Sequence, residues 1–74
     1  MREVQIRQYH LRYDDDQIDG YFDENNERLA FNAGSDLLLV VDVDNDQLTF
    51  HPNGGEYVSI EEIDATHYEL KSDF

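Results

Sequence analysis

The chain contains no cysteine. That absence excludes disulfide staples, thiolate zinc centres and thiol redox chemistry. Cations are scarce too, with five Lys and Arg against eighteen Asp and Glu, so the net charge is −13 with the histidines neutral. The longest unbroken apolar run is residues 37–41, far short of the roughly 20 residues a membrane-spanning helix needs. The N-terminus has no apolar stretch of the signal-peptide kind. The expectation is a soluble, cytoplasmic chain, or a secreted one whose leader has been removed. At 74 residues the expectation is a single small domain, whose core alone rarely supplies more than roughly 3–5 kcal/mol. No internal repeat, low-complexity segment or linker interrupts it.

The charge is spread unevenly. Residues 1–12 hold Arg2, Arg7 and Arg12 against Glu3, for +2, which leaves Arg28 and Lys71 against seventeen acids, or −15, on residues 13–74. High net charge with modest hydrophobicity is also the signature of disorder, so apolar periodicity has to decide whether the chain folds. It argues for strands: short runs rich in β-branched and aromatic residues, often spaced by two, are closed by Asp, Asn or Gly clusters.

Val4 and Ile6 share one parity and Tyr9, Leu11 and Tyr13 the other. This predicts one long bent strand with a bulge near Arg7 and Gln8, or a break into two shorter strands. Strands are predicted at residues 17–23 and 28–32, joined by a polar loop at 24–27, then at 37–44, 47–51, 57–60 and 67–71. Residues 37–41 are apolar at both parities, so that strand should be covered on both faces over much of its length. Such a face also suits a homodimer interface. Ser59 with Glu62 fits a capping box for one short helical turn over residues 60–65. Tight connections cannot make parallel crossovers, which need about a dozen residues or more. The predicted fold is therefore all-β, a small antiparallel meander of six or seven short strands forming a partly closed barrel or an open sheet.

Few residues have the spacing that chemistry requires. Asp42, Asp44 and Asp46 open like a calcium loop, but Gln47 stands where the sharp turn needs glycine and Asn53 where the bidentate Glu belongs. Asp14, Asp15 and Asp16 form a hydrated loop more readily than an ion site. His10, His51 and His67 have no motif spacing, and no pair lies three or four residues apart as on a metal-binding helix. No phosphate-binding glycine loop is present. The expectation is that the protein is not an enzyme and needs no metal or cofactor. The nine aromatic residues suggest a stacking platform for single-stranded nucleic acid, but so few cations cannot neutralise phosphates. The charge therefore argues against direct nucleic-acid binding and disfavours binding to anionic membranes.

What remains is the charge. Same-face side chains on a strand recur about every 6.6–6.8 Å, so Asp42, Asp44 and Asp46 would form a line of negative charge if the strand runs through all three. Asp14, Asp15, Asp16, Asp19, Asp23, Glu24 and Glu27 form a stretch without a cation. Together these acids imitate a nucleic-acid backbone, and the expected partner is a basic nucleic-acid-binding protein or nuclease whose groove they fill. Small phage anti-defence inhibitors and nuclease immunity proteins act in this manner, an analogy of size and charge. Tyr13 and Tyr21, taken as exposed beside the acids, would supply the anchors that charge lacks. The competing expectation is a salt-adapted β domain with a structural or regulatory role: lysine is single and Asp outnumbers Glu eleven to seven. A mimic clusters its acids, whereas salt adaptation disperses them.

Overall fold

The computed structural model describes residues 1–23, 28–53 and 58–72. The loop expected at 24–27 with Glu24 and Glu27, and the segment 54–57 that opens the strand expected at 57–60, lie outside the described residues. The fold is all-β, with eight strands and no helix among the described residues: β1 (Arg2–Ile6), β2 (Tyr9–Tyr13), β3 (Asp19–Phe22), β4 (Arg28–Ala33), β5 (Asp36–Asp44), β6 (Gln47–Pro52), β7 (Val58–Glu62) and β8 (His67–Ser72). They form two open four-stranded sheets, ordered β1-β2-β8-β7 and β3-β4-β5-β6.

The second sheet is the expected antiparallel meander. The first departs from it, because β8 pairs with β2 in parallel, with His10 opposite His67 and Tyr13 opposite Leu70. The tight-turn argument constrains only strands adjacent in the chain. Here the whole second sheet and β7 lie between the partners and supply the crossover. The strand count exceeds six or seven because the first segment breaks in two. Arg7 takes a left-handed φ of 52°, and residues 7 and 8 form a tight turn that pairs Ile6 with Tyr9.

The helical turn expected over 60–65 is absent. Ser59 and Ile60 continue β7, paired with Lys71 and Leu70. After them the Asp64 carboxylate accepts the Thr66 N–H at 2.9 Å, and this local bond reverses the chain in place of a helical one.

The sheets face each other across one core. Ile6, Tyr9, Leu11 and Leu70 come from the first sheet, Leu29, Phe31, Leu39 and Val41 from the second, and Ile18 enters from the β2–β3 loop. Aromatic rings bridge the layers edge to face, Tyr13 with Phe31 at 5.2 Å and Tyr68 with Phe50 at 5.7 Å. Tyr13 is therefore a core residue, 1% exposed, and not the exposed anchor expected. Its parity with Tyr9 and Leu11 points it inward.

β5 is the strand most changed by its context. The register slips between Phe31 and Asn32, so Phe31 faces Leu39 while Asn32 faces Leu37. The extra residue is Leu38, and the bulge lets Leu38 and Leu39 both be buried. Leu37 stays exposed and Val40 half-buried. Most of the run expected to form a dimer face is thus consumed by the protein's own core.

Candidate functional site

Strand direction divides the acids between two ends of the sheets. β2 runs into the Asp14–Asp16 loop, and β4 and β5 turn back at Gly34 and Ser35 beside it. At the other end lie the turn between β1 and β2, the Asp44–Gln47 turn and the Asp64 loop. Two contacts tie hairpins of the opposing sheets together there: Tyr9 Oη donates to the Asp46 carbonyl at 2.7 Å, and Arg7 lies 3.9 Å from the Asp46 carboxylate. The acids of 14–16 and those of 42–46 do not share one surface.

Among the described residues, the Asp14–Asp16 loop has the densest charge. Its three carboxylates lie within 4.8 Å of one another, because the Asp14 carboxylate accepts the Asp16 N–H at 3.0 Å and the Asp14 carbonyl accepts N–H groups from Gln17 and Ile18. Ile18, 1% exposed, plugs the core and holds the loop. The N-terminal amine lies 3.4 Å from Asp15. The chain then enters edge strand β3, where Asp19 and Tyr21 alternate with the inward Gly20. Tyr21 is 50% exposed, and its hydroxyl accepts a hydrogen bond from the Asn32 side-chain amide at 3.2 Å. Asp23 follows, its N–H bonded to the Arg28 carbonyl.

Asp42, Asp44 and Asp46 do not make a straight line. Asp42 and Asp44 share the outer face of β5, but the strand ends at Asp44, and Asn45 and Asp46 turn the chain with φ of 51° and 61°. Left-handed values at both central residues are those of a tight two-residue hairpin. Asp42 is also engaged, 3.1 Å from His51 Nε2 and opposite Arg28 in the β4–β5 register. Arg28, Val40, Asp42 and His51 line a shallow depression there.

All three histidines meet a carboxylate, which no spacing in the chain announced: His10 with Glu3 at 3.6 Å, His51 with Asp42, and His67 with Asp64 at 2.8 Å. Thr66 Oγ1 lies 3.0 Å from the same His67 Nδ1 that Asp64 engages. A catalytic triad needs hydroxyl and carboxylate on opposite ring nitrogens, so this group is a turn and not a relay. The Thr66 N–H and the His67 ring together hold the Asp64 carboxyl down at about 2. Beside this loop, where β7 pairs with β8, burial and then the Glu62 carboxylate push the Tyr68 hydroxyl upward.

The outer face of the first sheet carries charges of both signs. Glu3, Arg12, Glu69 and Glu61 form one row across β1, β2, β8 and β7. Glu61 and Glu69 are directly opposite, an unfavourable like-charge pair, and Lys71 relieves it with an ion pair to Glu61 at 2.7 Å. In the neighbouring row the imidazoles of His10 and His67 stack at 4.6 Å, with planes 6° apart. No family model matches the chain, and the comparisons with curated proteins and with solved structures likewise return no match.

Proposed function

We propose that this chain is an acidic binding protein that occupies the positively charged nucleic-acid groove of a basic partner and so inhibits it. The observation that carries this reading is the Asp14–Asp16 loop, three carboxylates within 4.8 Å of one another on a chain of net charge −13. Unit charges about 4 Å apart repel by about 1 kcal/mol even at the dielectric of water. A groove lined with Lys or Arg relieves that repulsion, as it does for adjacent phosphates. The binding surface continues along edge strand β3 through Asp19 to the exposed Tyr21, which supplies a ring able to be desolvated against one partner. Asp44 and Asp46, at the opposite end, add to long-range attraction without touching the same groove.

The test uses the immobilised full chain in a nucleic-acid-rich bacterial lysate at about 0.15 M salt. The expected result is capture of a DNA- or RNA-binding protein that duplex DNA or RNA displaces and high salt releases. Replacing Asp14, Asp15 and Asp16 with Asn should abolish capture with the circular-dichroism spectrum unchanged, while Asp44→Asn with Asp46→Asn should weaken it only modestly. Failure to capture any basic protein, or capture indifferent to both sets, overturns the proposal.

The distribution of acids favours a second reading, salt adaptation. They occupy both ends and both outer faces of the sheets, and no charged side chain is buried among the described residues. That reading expects a melting temperature still rising into molar salt, whereas the first expects a plateau once the charges are screened.

A further inference from the structure

We propose that the free edge of β3 receives an extended segment of the partner, alternating apolar and basic residues, as an added strand of the second sheet. The inference rests on the functional reading above for the sign of the partner's charge. β3 stands at the end of its sheet, with β4 on one side and, among the described residues, no strand on the other. The Asp23 N–H bonds to the Arg28 carbonyl, and opposed residues in an antiparallel ladder alternate between bonded and unbonded pairs. Tyr21 and Asp19 therefore also bond inward to β4, which turns the N–H and C=O groups of Gly20 and Phe22 toward the free side. No other described residue bonds to those groups.

The side chains along this edge define what the segment carries. Phe22 stands opposite the buried Leu29 and so points to the core side, yet it is 36% exposed at the rim. An apolar side chain on the incoming strand covers it. Asp19 and Tyr21 alternate onto the outer face, and the Asn32 amide holds the Tyr21 hydroxyl at 3.2 Å. A Lys or Arg on that face meets the Asp19 carboxylate and the Tyr21 ring. Successive side chains of a strand point to opposite faces, so alternation of apolar and basic residues satisfies both faces at once. Main-chain bonds supply affinity in this mode and the alternate side chains supply specificity.

The other edges suit such a segment less. β1 carries Arg2 and runs into Arg7, which repel a basic strand. β6 ends at Pro52, which has no N–H to offer. On β7 the Ile63 N–H bonds to the His67 carbonyl, so Ile60 and Glu62 face outward by the same alternation, but Lys71 already pairs with Glu61 at 2.7 Å. Only β3 follows directly on the Asp14–Asp16 loop, whose charge draws the segment in.

The experiment titrates the full chain with a synthetic peptide of alternating lysine and valine at about 0.02 M salt, followed by ¹H–¹⁵N spectra and amide hydrogen exchange. At saturation, exchange of the Gly20 and Phe22 N–H groups should slow at least tenfold, while that of Tyr21, already bonded to β4, changes little. The same peptide N-methylated throughout keeps its charge and loses its donors, and should bind at least tenfold more weakly. Asp19→Asn with Tyr21→Ala should also weaken binding about tenfold with the circular-dichroism spectrum unchanged. Absence of binding overturns the proposal, as does binding that leaves Gly20 and Phe22 unprotected or protects Ile60 and Glu62 of β7 instead. Equal affinity of the N-methylated peptide means that charge alone holds it, and also overturns the proposal. So does slow exchange at Gly20 and Phe22 in the chain alone with a dimer by sedimentation, since a second copy then fills the edge. The functional reading fails separately, when the lysate yields no basic protein.

Discussion

Gly20 tests the packing of the two sheets most directly. A Cβ built there lies 2.9 Å from Phe31 Cε1 and 3.0 Å from both Cζ and Oη of Tyr13. Carbon atoms in good contact sit about 3.5–4.0 Å apart, so Gly20→Ala forces the rings to retreat by about half an ångström. Neither has room. Phe31 is 0% and Tyr13 1% exposed, and the two lock each other edge to face at 5.2 Å. Overpacking of this kind costs roughly 1–3 kcal/mol. Against it stands the reduced freedom of the unfolded chain when Gly becomes Ala, about 0.4–1 kcal/mol in favour of the variant. The steric cost wins, and the net loss is about 1–2 kcal/mol, a large share of a small domain's roughly 5 kcal/mol. Urea unfolding should show a lower midpoint with an unchanged slope, and the melting temperature should fall by about 4–8 °C per kcal/mol. Phe31→Leu, destabilising alone, should make room for the methyl group, so that the double variant loses less than the sum of the singles by at least ~0.5 kcal/mol. A midpoint equal to or above that of the native chain refutes the reasoning, since it would mean that the rings yield freely.

Salt should stabilise the fold: at a net charge of −13, moving from about 0.01 M to 0.15 M salt shortens the reach of repulsion from about 30 Å to 8 Å, and the melting temperature should rise. A flat response would mean the acids are effectively neutralised by their few partners. On the acid side, the Asp64 carboxyl is lowered from 3.8 to about 2 by the Thr66 N–H and then His67, so its stabilisation is fully present above pH about 4 and vanishes as the pH falls through about 2. The difference in urea midpoint between native chain and Asp64→Asn should therefore shrink from pH 5 to pH 2, and a constant difference would refute it. On the alkaline side, Tyr68 is raised by burial and then by Glu62, and Lys71 is raised by its bond to Glu61. Both contributions hold below pH about 10 and are lost above it, so alkaline unfolding should be milder in Tyr68→Phe, and an identical alkaline midpoint would count against this.

The strands were legible because strand formation is recorded locally. Alternation at Tyr9, Leu11 and Tyr13, the continuous apolar run near residue 39 and the Asn and Asp turns specify β segments and most of their ends without knowledge of the partner strand. The same alternation orients Tyr13 inward, so its burial was readable, and treating it as an exposed anchor set proximity to the acids above its own parity. Net charge, and with it the sign of any partner, is likewise a property of composition. Registers between distant segments are different, because a parallel pairing depends on which free edges of the β1–β2 and β7–β8 hairpins meet across a long stretch of chain. That event placed His10 beside His67 and drew Glu3, Arg12, Glu69 and Glu61 into one row. Bulging at Leu38, which turns two successive leucines inward, is equally a response to the facing layer. Strand direction, finally, sent residues 14–16 and 44–46 to opposite ends of the sheets. Composition sums charges over the chain, but only the tertiary structure assigns them to surfaces, and a partner meets one surface at a time.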